Sequence, residues 1–446
     1  MRRWGVSPVA GARSLDREIL RLALPALGAL VAEPIYVLTD TAIVGHLGTE
    51  RLAGLALATT VLLVGYSIFI FLAYGTTAAV SRRLGAGDRE GAAHQAVQSL
   101  WLAVIIGVVI AVVGLVLSDP LIGALGGDGA VRAHALTYLR ISMLRVPAML
   151  IVLAGTGYLR GLQNTRTPLV VAIGSTVLNL VIEVVLIFGL GYDIGAAALA
   201  TVVAQSVGAG CYLVVIRRAV RPHDMSLAPH WSTIRRLGLV GRDLFVRTVA
   251  LRGALVLTTA VAARSGTQAL AAHQITFEIW NLMALTLDAV AIAGQAMIGR
   301  FLGAGLVDDA RSLGNRMLRW GVVVGLVLGA IMVGLHGALP HLFTPDGTVV
   351  ATAASLLIVA GLAQPLNGVV FVLDGLLIGA GDMGWLAVAM VIATAGYVPM
   401  VVAVIWFDLG IGWLWWSLVG FMALRFLTLH GRWRSDRWAV AGTAVT

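Results

Sequence analysis

A succession of long apolar runs limits this chain more than any other feature. There are about twelve, each near the ~20 residues needed to cross roughly 30 Å of hydrocarbon. They lie near 20–46, 53–80, 94–118, 130–156, 168–190, 194–216, 243–264, 270–298, 314–338, 348–377, 385–407 and 410–430. Of the 446 residues, 59% are hydrophobic and only 12% charged, where a soluble domain carries about a quarter charged. The excess predicts many membrane spans rather than one large core. The expected fold is an all-α polytopic membrane protein.

Charge gives the expected direction. All 31 basic residues are Arg. They gather in alternate connections: Arg2, Arg3, Arg13 and Arg17; Arg82, Arg83 and Arg89; Arg160 and Arg166; Arg217 to Arg236; Arg300, Arg311 and Arg316; Arg432, Arg434 and Arg437. The other connections, "SDPLIGALGGDG", "GYD", "HGALPHLFTPDG" and "FDLG", hold almost none. The positive-inside rule then places both termini in the cytoplasm and the chain in the cell membrane. The opening "MRRWGVSPVAGARSLDRE" lacks a short apolar core with a cleavage site, so it reads as a cytoplasmic tail. Cys211 is the only cysteine, which excludes an internal disulfide and a cysteine metal site. The basic residues line the expected cytoplasmic face, where they attract anionic lipid; nucleic acid is not an expected partner.

A repeat organises the runs. "RLGAG" at Arg83–Gly87 returns as "FLGAG" at Phe301–Gly305, 218 residues on. The same offset links Gly48-Thr49 with Gly266-Thr267, Arg82 with Arg300, and Asp128-Gly129 with Asp346-Gly347. It also links Pro147 with Pro365, Gly157 with Gly375, and Gly161 with Gly379. Two six-helix halves are therefore expected, entering the membrane in the same direction as a parallel repeat about a central cleft. The expected divisions are a tail at 1–18, a first lobe at 19–218, a basic linker at 219–241, a second lobe at 242–430 and a tail at 431–446.

Charges inside the runs are the candidate functional residues, because an Asp at a span centre costs about 3 kcal/mol on insertion scales. The first half holds Glu33, Asp40 and Glu183; the second holds Arg247, Arg252, Glu278, Asp288 and Asp374. Seven residues are close to two helical turns, so Glu33 and Asp40 share a face with Tyr36 between them. Asn179 and Glu183 are four apart, as are Thr201 and Gln205, so these polar faces are expected to converge. Desolvated carboxyls resist ionisation and so suit proton loading near neutral pH, while the same oxygens suit Na⁺. A hydrogen-bonded pair that merely ties helices is the plainer alternative. Arg247 and Arg252 need partners, which Asp288, Glu278 or Asp374 supply; Asp288 is as well explained by an ion pair as by substrate. Trp280 is a candidate cleft residue or plain packing.

The motifs that carry a family likeness are Pro25, "LTDTAIVGHLG" at 38–48, "RRLGAGD" at 82–88, "GYLRGLQNTRTP" at 157–168 and "VLDGLLIGAGD" at 372–382. With them the chain resembles the multidrug and toxic compound extrusion (MATE) family, in its DinF-like branch, from about residue 17 to 430. The resemblance implies a secondary active antiporter for organic, cationic or amphipathic compounds, driven by H⁺ or, second, by Na⁺, with no cofactor. It makes Asp40 the coupling acid, grouped with Asn179, Glu183 and Thr201, with Tyr138 nearby and Pro25 as the point where the first helix bends. Small organic substrates and lipid are the implied partners of a monomer. Glu183 stands where such relatives are expected to carry Asp, which bears on Na⁺ geometry more than on protonation. Glu278 and Asp374 resemble acids used by other branches.

Two alternatives to export would leave their own marks in the sequence. A lipid-linked flippase of the same superfamily would carry clustered arginines in its cleft, for which Arg145, Arg247 and Arg252 are the candidates. An enzyme is not expected, since the nine His are scattered without a paired motif and no Gly-x-Ser-x-Gly occurs.

Overall fold

The computed structural model describes residues 12–223 and 225–443, so most of the expected tail at 1–18 lies outside the described residues. Among the described residues every regular element is helical. The helices are α1 (Ala12–Gly45), α2 (Thr49–Ile68), α3 (Phe71–Gly85), α4 (Arg89–Ala124), α5 (Gly129–Met143), α6 (Val146–Gly161), α7 (Arg166–Val184) and α8 (Gly195–Val220). They continue with α9 (Trp231–Arg264), α10 (Thr267–Gly303), α11 (Val307–Gly334), α12 (Gly347–Leu362), α13 (Gln364–Gly379), α14 (Met383–Trp406) and α15 (Gly410–Arg434). Nine are long and apolar enough to span, and eleven spans result if each of two bent pairs is one. The expected run at 53–80 falls on α2 and α3, parted at residues 69–70, and is not one of these eleven.

The residues shared at the 218 offset turn out to be helix starts, turns and contacts. Gly87 and Gly305 adopt φ of 78° and 77° in the turns after α3 and α10, a left-handed conformation that costs Gly little. Asp128 caps α5 by accepting from the Gly129 amide at 2.7 Å, and Asp346 caps α12 by accepting from the Thr348 amide at 2.8 Å. Pro147 and Pro365 sit in the first turns of α6 and α13, just after bends of 47° and 52°. A Cβ on Gly157 would stand 2.5 Å from the Ala73 carbonyl, and one on Gly375 2.4 Å from that of Ala291. Glycine there lets α6 close on α3, and α13 on α10, at the same two points of the repeat.

Packing divides the chain into two compact units, Gly28 to Gly241, and Arg242 onward together with the chain up to Leu27. The first is built on α2, α5 and the ends of α7 and α8, around Leu55, Tyr138, Leu139 and Ile194. The second is built on α10, α12 and α15, around Ile275, Leu356, Leu357 and Trp415.

Two segments outside the expected lobes take defined structure. The linker at 219–241 is helical again from Trp231, and its loop is bound to α4: Gln98 donates to the Ala228 carbonyl at 3.2 Å, and Trp101 to that of Leu227 at 2.8 Å. At the far end, the residues after α15 fold back. Trp438 stacks on Trp433 with centroids 4.1 Å apart and donates to its carbonyl at 2.9 Å.

Candidate functional site

In the first unit four helices bring polar side chains to one apolar interior. α1 contributes Tyr36 and Asp40, four residues apart and so on one face. α5 contributes Tyr138, α7 contributes Asn179 and Glu183, and α8 contributes Thr201. Asp40, Asn179, Glu183 and Thr201 are each buried, with Glu183 at 0% exposure.

Thr201 is the hub. Its Oγ1 lies 2.7 Å from the Tyr36 hydroxyl, accepts from the Asn179 amide at 3.2 Å, and donates to the Ala197 carbonyl at 3.1 Å. That carbonyl is one turn back on α8, so Thr201 is fixed by its own helix. Tyr138 donates to Asp40 Oδ2 at 3.2 Å. The other oxygen, Asp40 Oδ1, and both oxygens of Glu183 have no hydrogen-bond donor among the described residues. The two carboxyls nevertheless stand close enough to share a proton. Three bare, buried carboxyl oxygens are costly unless a proton or a cation joins them.

A cation stands beside them. The Arg145 side chain is near enough to Tyr36, Tyr138 and Asp40 to act on all three electrostatically. The sequence reading named Arg145 only as a cleft arginine and did not group it with the acids. Its signal was present: it follows Tyr138 by seven residues and immediately precedes α6, where the chain bends. α7 passes into a π-helical turn at Val185–Gly189, two residues past Glu183, which widens the backbone there.

Two residues of the expected polar faces, Glu33 and Gln205, fall outside the cluster, and Pro25, the expected bending point, lies apart from it. Glu33 shares the axial face of Asp40 but is exposed, about 10 Å further along α1. Gln205, one turn beyond Thr201, is half-buried and takes no part in these hydrogen bonds. Pro25 lies within an unbroken α1, two residues before the point where that helix passes from one packing unit to the other.

The second unit has a different polar centre. Asp374 on α13 receives Arg247 of α9 at 2.8 Å and also Arg425 of α15, both on Oδ2. All three are buried. Asp374, one of the partners proposed for Arg247, does meet it, and Arg425 is a member that the spacing of the sequence does not reveal. Asp374 is thus a carboxylate clamped by two guanidiniums, not a bare acid. Arg252 is exposed, as is Glu278, which accepts from Gln274 at 2.9 Å. Asp288 is half-buried on α10. Trp280 is half-buried on α10, its ring 5.7 Å from that of Phe277. Among the described residues no three His, Cys, Asp or Glu side chains form a group that would hold a metal ion.

Comparison with known proteins gives one consistent family. The MatE profile matches residues 25–185 and 247–405. "Protein DETOXIFICATION 44, chloroplastic" of Arabidopsis thaliana is 35% identical, over 96% of this chain and 83% of its own. "DNA damage-inducible protein F" of Escherichia coli is 30% identical, over 96% and 95%. Among solved structures, a MATE crystallised in a bent conformation superposes with a TM-score of 0.87 at 23% identity, covering 95% of this chain and 96% of that one. A Vibrio cholerae MATE transporter gives 0.87 at 22%, covering 96% and 99%.

Proposed function

Because the chain belongs to the MATE family, in its DinF-like branch, we propose that this multi-pass membrane protein is an antiporter with Asp40 as coupling acid. It exports organic cationic or amphipathic compounds across the cell membrane and takes up H⁺ in exchange, with both termini on the cytoplasmic side. Relatives include a probable multidrug resistance protein, NorM, of Thermotoga maritima, 26% identical over 94% of this chain.

The observation that carries the reading is the pair of buried carboxyls with three undonated oxygens beside one arginine. Charge and the supply of free ligands together favour the proton. Asp40 and Glu183 ionised, with Arg145 charged, sum to one negative charge, which a single proton removes. Na⁺ would neutralise it equally but would have to sit beside a fixed guanidinium, and Thr201 Oγ1, its natural third ligand, is already engaged three times. Hard cations of this kind need several free oxygens at once.

Protonation removes the attraction between Asp40 and Arg145 and supplies the donor that Glu183 lacks. The face of α1 bearing Tyr36 and Asp40 then repacks against α7 and α8. Pro25 has no amide to give to the carbonyl of Arg21, so α1 yields most cheaply there, next to where it leaves its second-unit packing. That yielding alternates access. One proton falling through 100 mV supplies about 2.3 kcal/mol, enough for a gradient of tenfold and more in a neutral substrate.

The test is transport in liposomes with an imposed pH or Na⁺ gradient, using an organic cation such as ethidium. Wild type is expected to follow the pH gradient and ignore the Na⁺ gradient, and Asp40→Asn to follow neither. Equal response of the Asn variant to the pH gradient would remove Asp40 from the role, and a response of the wild type to Na⁺ alone would replace the proton.

A further inference from the structure

α1 presents two kinds of surface along one continuous helix. Toward its start Ile19, Leu22, Ala23 and Ala26 are buried, a single helix face seated in the second unit. Further on, Ile35 and Leu38 are 53% and 71% exposed, and Glu33 is exposed between them and the seated part. The seated part is also clamped. Arg316 and Trp320 are four apart on α11 and so share a face. Arg316 Nε and Trp320 Nε1 each donate to Asp16 Oδ1 at 2.8 Å, and Arg316 Nη2 donates to Oδ2. A guanidinium that grips both carboxylate oxygens fixes angle as well as distance. The two side chains are 26% and 31% exposed, so this pair is less open to screening than a fully solvated one.

The repeat gives an independent reason to assign the clamp a role. At the offset of 218 residues Arg316 becomes Gln98 on α4, and α1 becomes α9. Gln98 Oε1 accepts from the amide of His230, the residue just before α9, at 2.8 Å. Each half therefore ties the base of its first helix at one equivalent position, with charge in one half and neutral groups in the other. The residues changed and the tie stayed.

Asp16 is too far from the coupling acid to act on it directly: 24 residues of helix separate it from Asp40 by ~36 Å. Its effect must pass through the backbone of α1. A helix pushed at one end bends at its weak point only if the other end is held; unheld, it shifts as a rod, and Pro25 is never loaded.

We propose that Asp16, gripped by Arg316 and Trp320, is a positioning residue: the fixed base against which the Tyr36–Asp40 face of α1 moves while the helix before Pro25 stays seated. The inference rests on the antiport reading, in which α1 yields at Pro25.

The experiment is hydrogen exchange of the purified protein in nanodiscs, corrected for intrinsic rates, in mild acid and in mild alkali. In wild type the exchange of residues 28–42 is expected to differ between the two conditions, with residues 17–24 protected in both. Asp16→Ala should raise the opening of 17–24 roughly tenfold or more, because charged hydrogen bonds are lost, and Asp16→Glu should restore most of the protection. A second variant asks whether the tie must open. Asp16→Cys with Arg316→Cys, in a chain where Cys211→Ala has removed the only native cysteine, is bridged by a short reagent that joins two thiols. Bridged, it should transport ethidium along a pH gradient as fast as Cys211→Ala alone; unbridged, it should be slower with KM unchanged. Opening of 17–24 together with 28–42 in wild type, a bridge that stops transport, or an Asp16→Ala protein that exchanges as wild type does would overturn the proposal. Should 28–42 ignore pH, the coupling role of Asp40 fails instead, and the exchange of 17–24 still decides the anchor.

Discussion

At the offset of 218 residues, the positions of Asp40 and Asn179 become Thr258 and Tyr397 in the second unit. There the two hydroxyls meet at 2.6 Å, both residues are 0% exposed, and Thr258 also bonds the Ala254 carbonyl at 2.8 Å. The reverse holds one layer away. Asp374 stands at the position of Thr156, whose hydroxyl meets that of Tyr212 at 2.8 Å. Each unit therefore keeps one closed Thr–Tyr hydroxyl pair and one charged cluster, and the two have changed places. Arg145 corresponds to Ala363, Glu183 to Val401, and Arg247 to Ala29. Duplication preserved the scaffold of turns, caps and glycine contacts, while the ionisable groups were placed separately. The first cluster is short of protons, and the second sets one carboxylate between two guanidiniums.

That contrast predicts opposite responses to losing an acid. Asp374→Ala takes the shared carboxylate away from two buried guanidiniums, so it should cost about 3–5 kcal/mol, read as a fall in the unfolding temperature in nanodiscs. Replacing Asp374, Arg247 and Arg425 together by Leu, Met and Met should recover most of that loss, because the desolvation cost goes with the charges. An Asp374→Ala protein as stable as wild type would mean that the clamp is not the electrostatic unit described.

Asp40→Asn should behave in the other way. The amide can donate to Glu183, whose oxygens otherwise lack a donor, so stability should stay within about 1 kcal/mol of wild type or rise. Transport, not folding, carries the effect: the response to an imposed pH gradient should disappear, removing the ~2.3 kcal/mol per 100 mV that a coupled proton supplies. Arg145→Gln sharpens the charge count. Without the guanidinium, two ionised carboxyls require two added charges, so the number of protons taken up per substrate, read from vesicle pH change against substrate flux, should rise. An unchanged ratio would remove Arg145 from the count.

Much of this architecture was legible in the residues, for stated reasons. Span ends followed from apolar length, and α4, α8 and α14 begin and end within several residues of the runs that announced them. The repeat was visible because turns, caps and close helix contacts admit few residue types, as Gly87 and Gly305 or Asp128 and Asp346 show. Asp40, Asn179, Glu183, Thr201, Tyr36 and Tyr138 were grouped by i, i+4 spacing and by family likeness, and they do lie together. Arg145 and Arg425 escaped for one reason. Spacing within a helix reports which residues share its face, but not which faces of separate helices meet. Glu33 shows the same limit: it shares the face of Asp40 yet is exposed, because burial changes along a long helix.

The hydroxyl pairs test the comparison at lower energy. Tyr397→Phe and Tyr212→Phe each remove one side-chain hydrogen bond, and each should cost about 0.5–1.5 kcal/mol, the two matching one another if the layers are equivalent. A cost confined to one of them would break the equivalence.

The smallest expected effect lies outside the spans. Arg51 at the start of α2 donates to Asp193, in the connection before α8, at 2.5 Å, and His134 stands 3.8 Å from the same carboxylate. The offset replaces Arg51 by Ala269, so only the first unit has this tie. Partial burial pushes the Asp193 carboxyl up, but the Arg51 hydrogen bond, the Ile194 amide and the charges of Arg51 and His134 outweigh it and hold the group below the usual carboxylate range. A depressed folded-state value means that the stabilisation is complete above the unfolded carboxylate range and is lost as pH falls through the folded value. The pair is about half exposed, so solvent screening keeps its worth below about 1 kcal/mol. Asp193→Asn should therefore lower the unfolding temperature slightly at neutral pH and not at all in acid, and high salt should shrink the difference. A difference that persists unchanged in acid would show that packing, and not charge, joins α2 to the connection before α8.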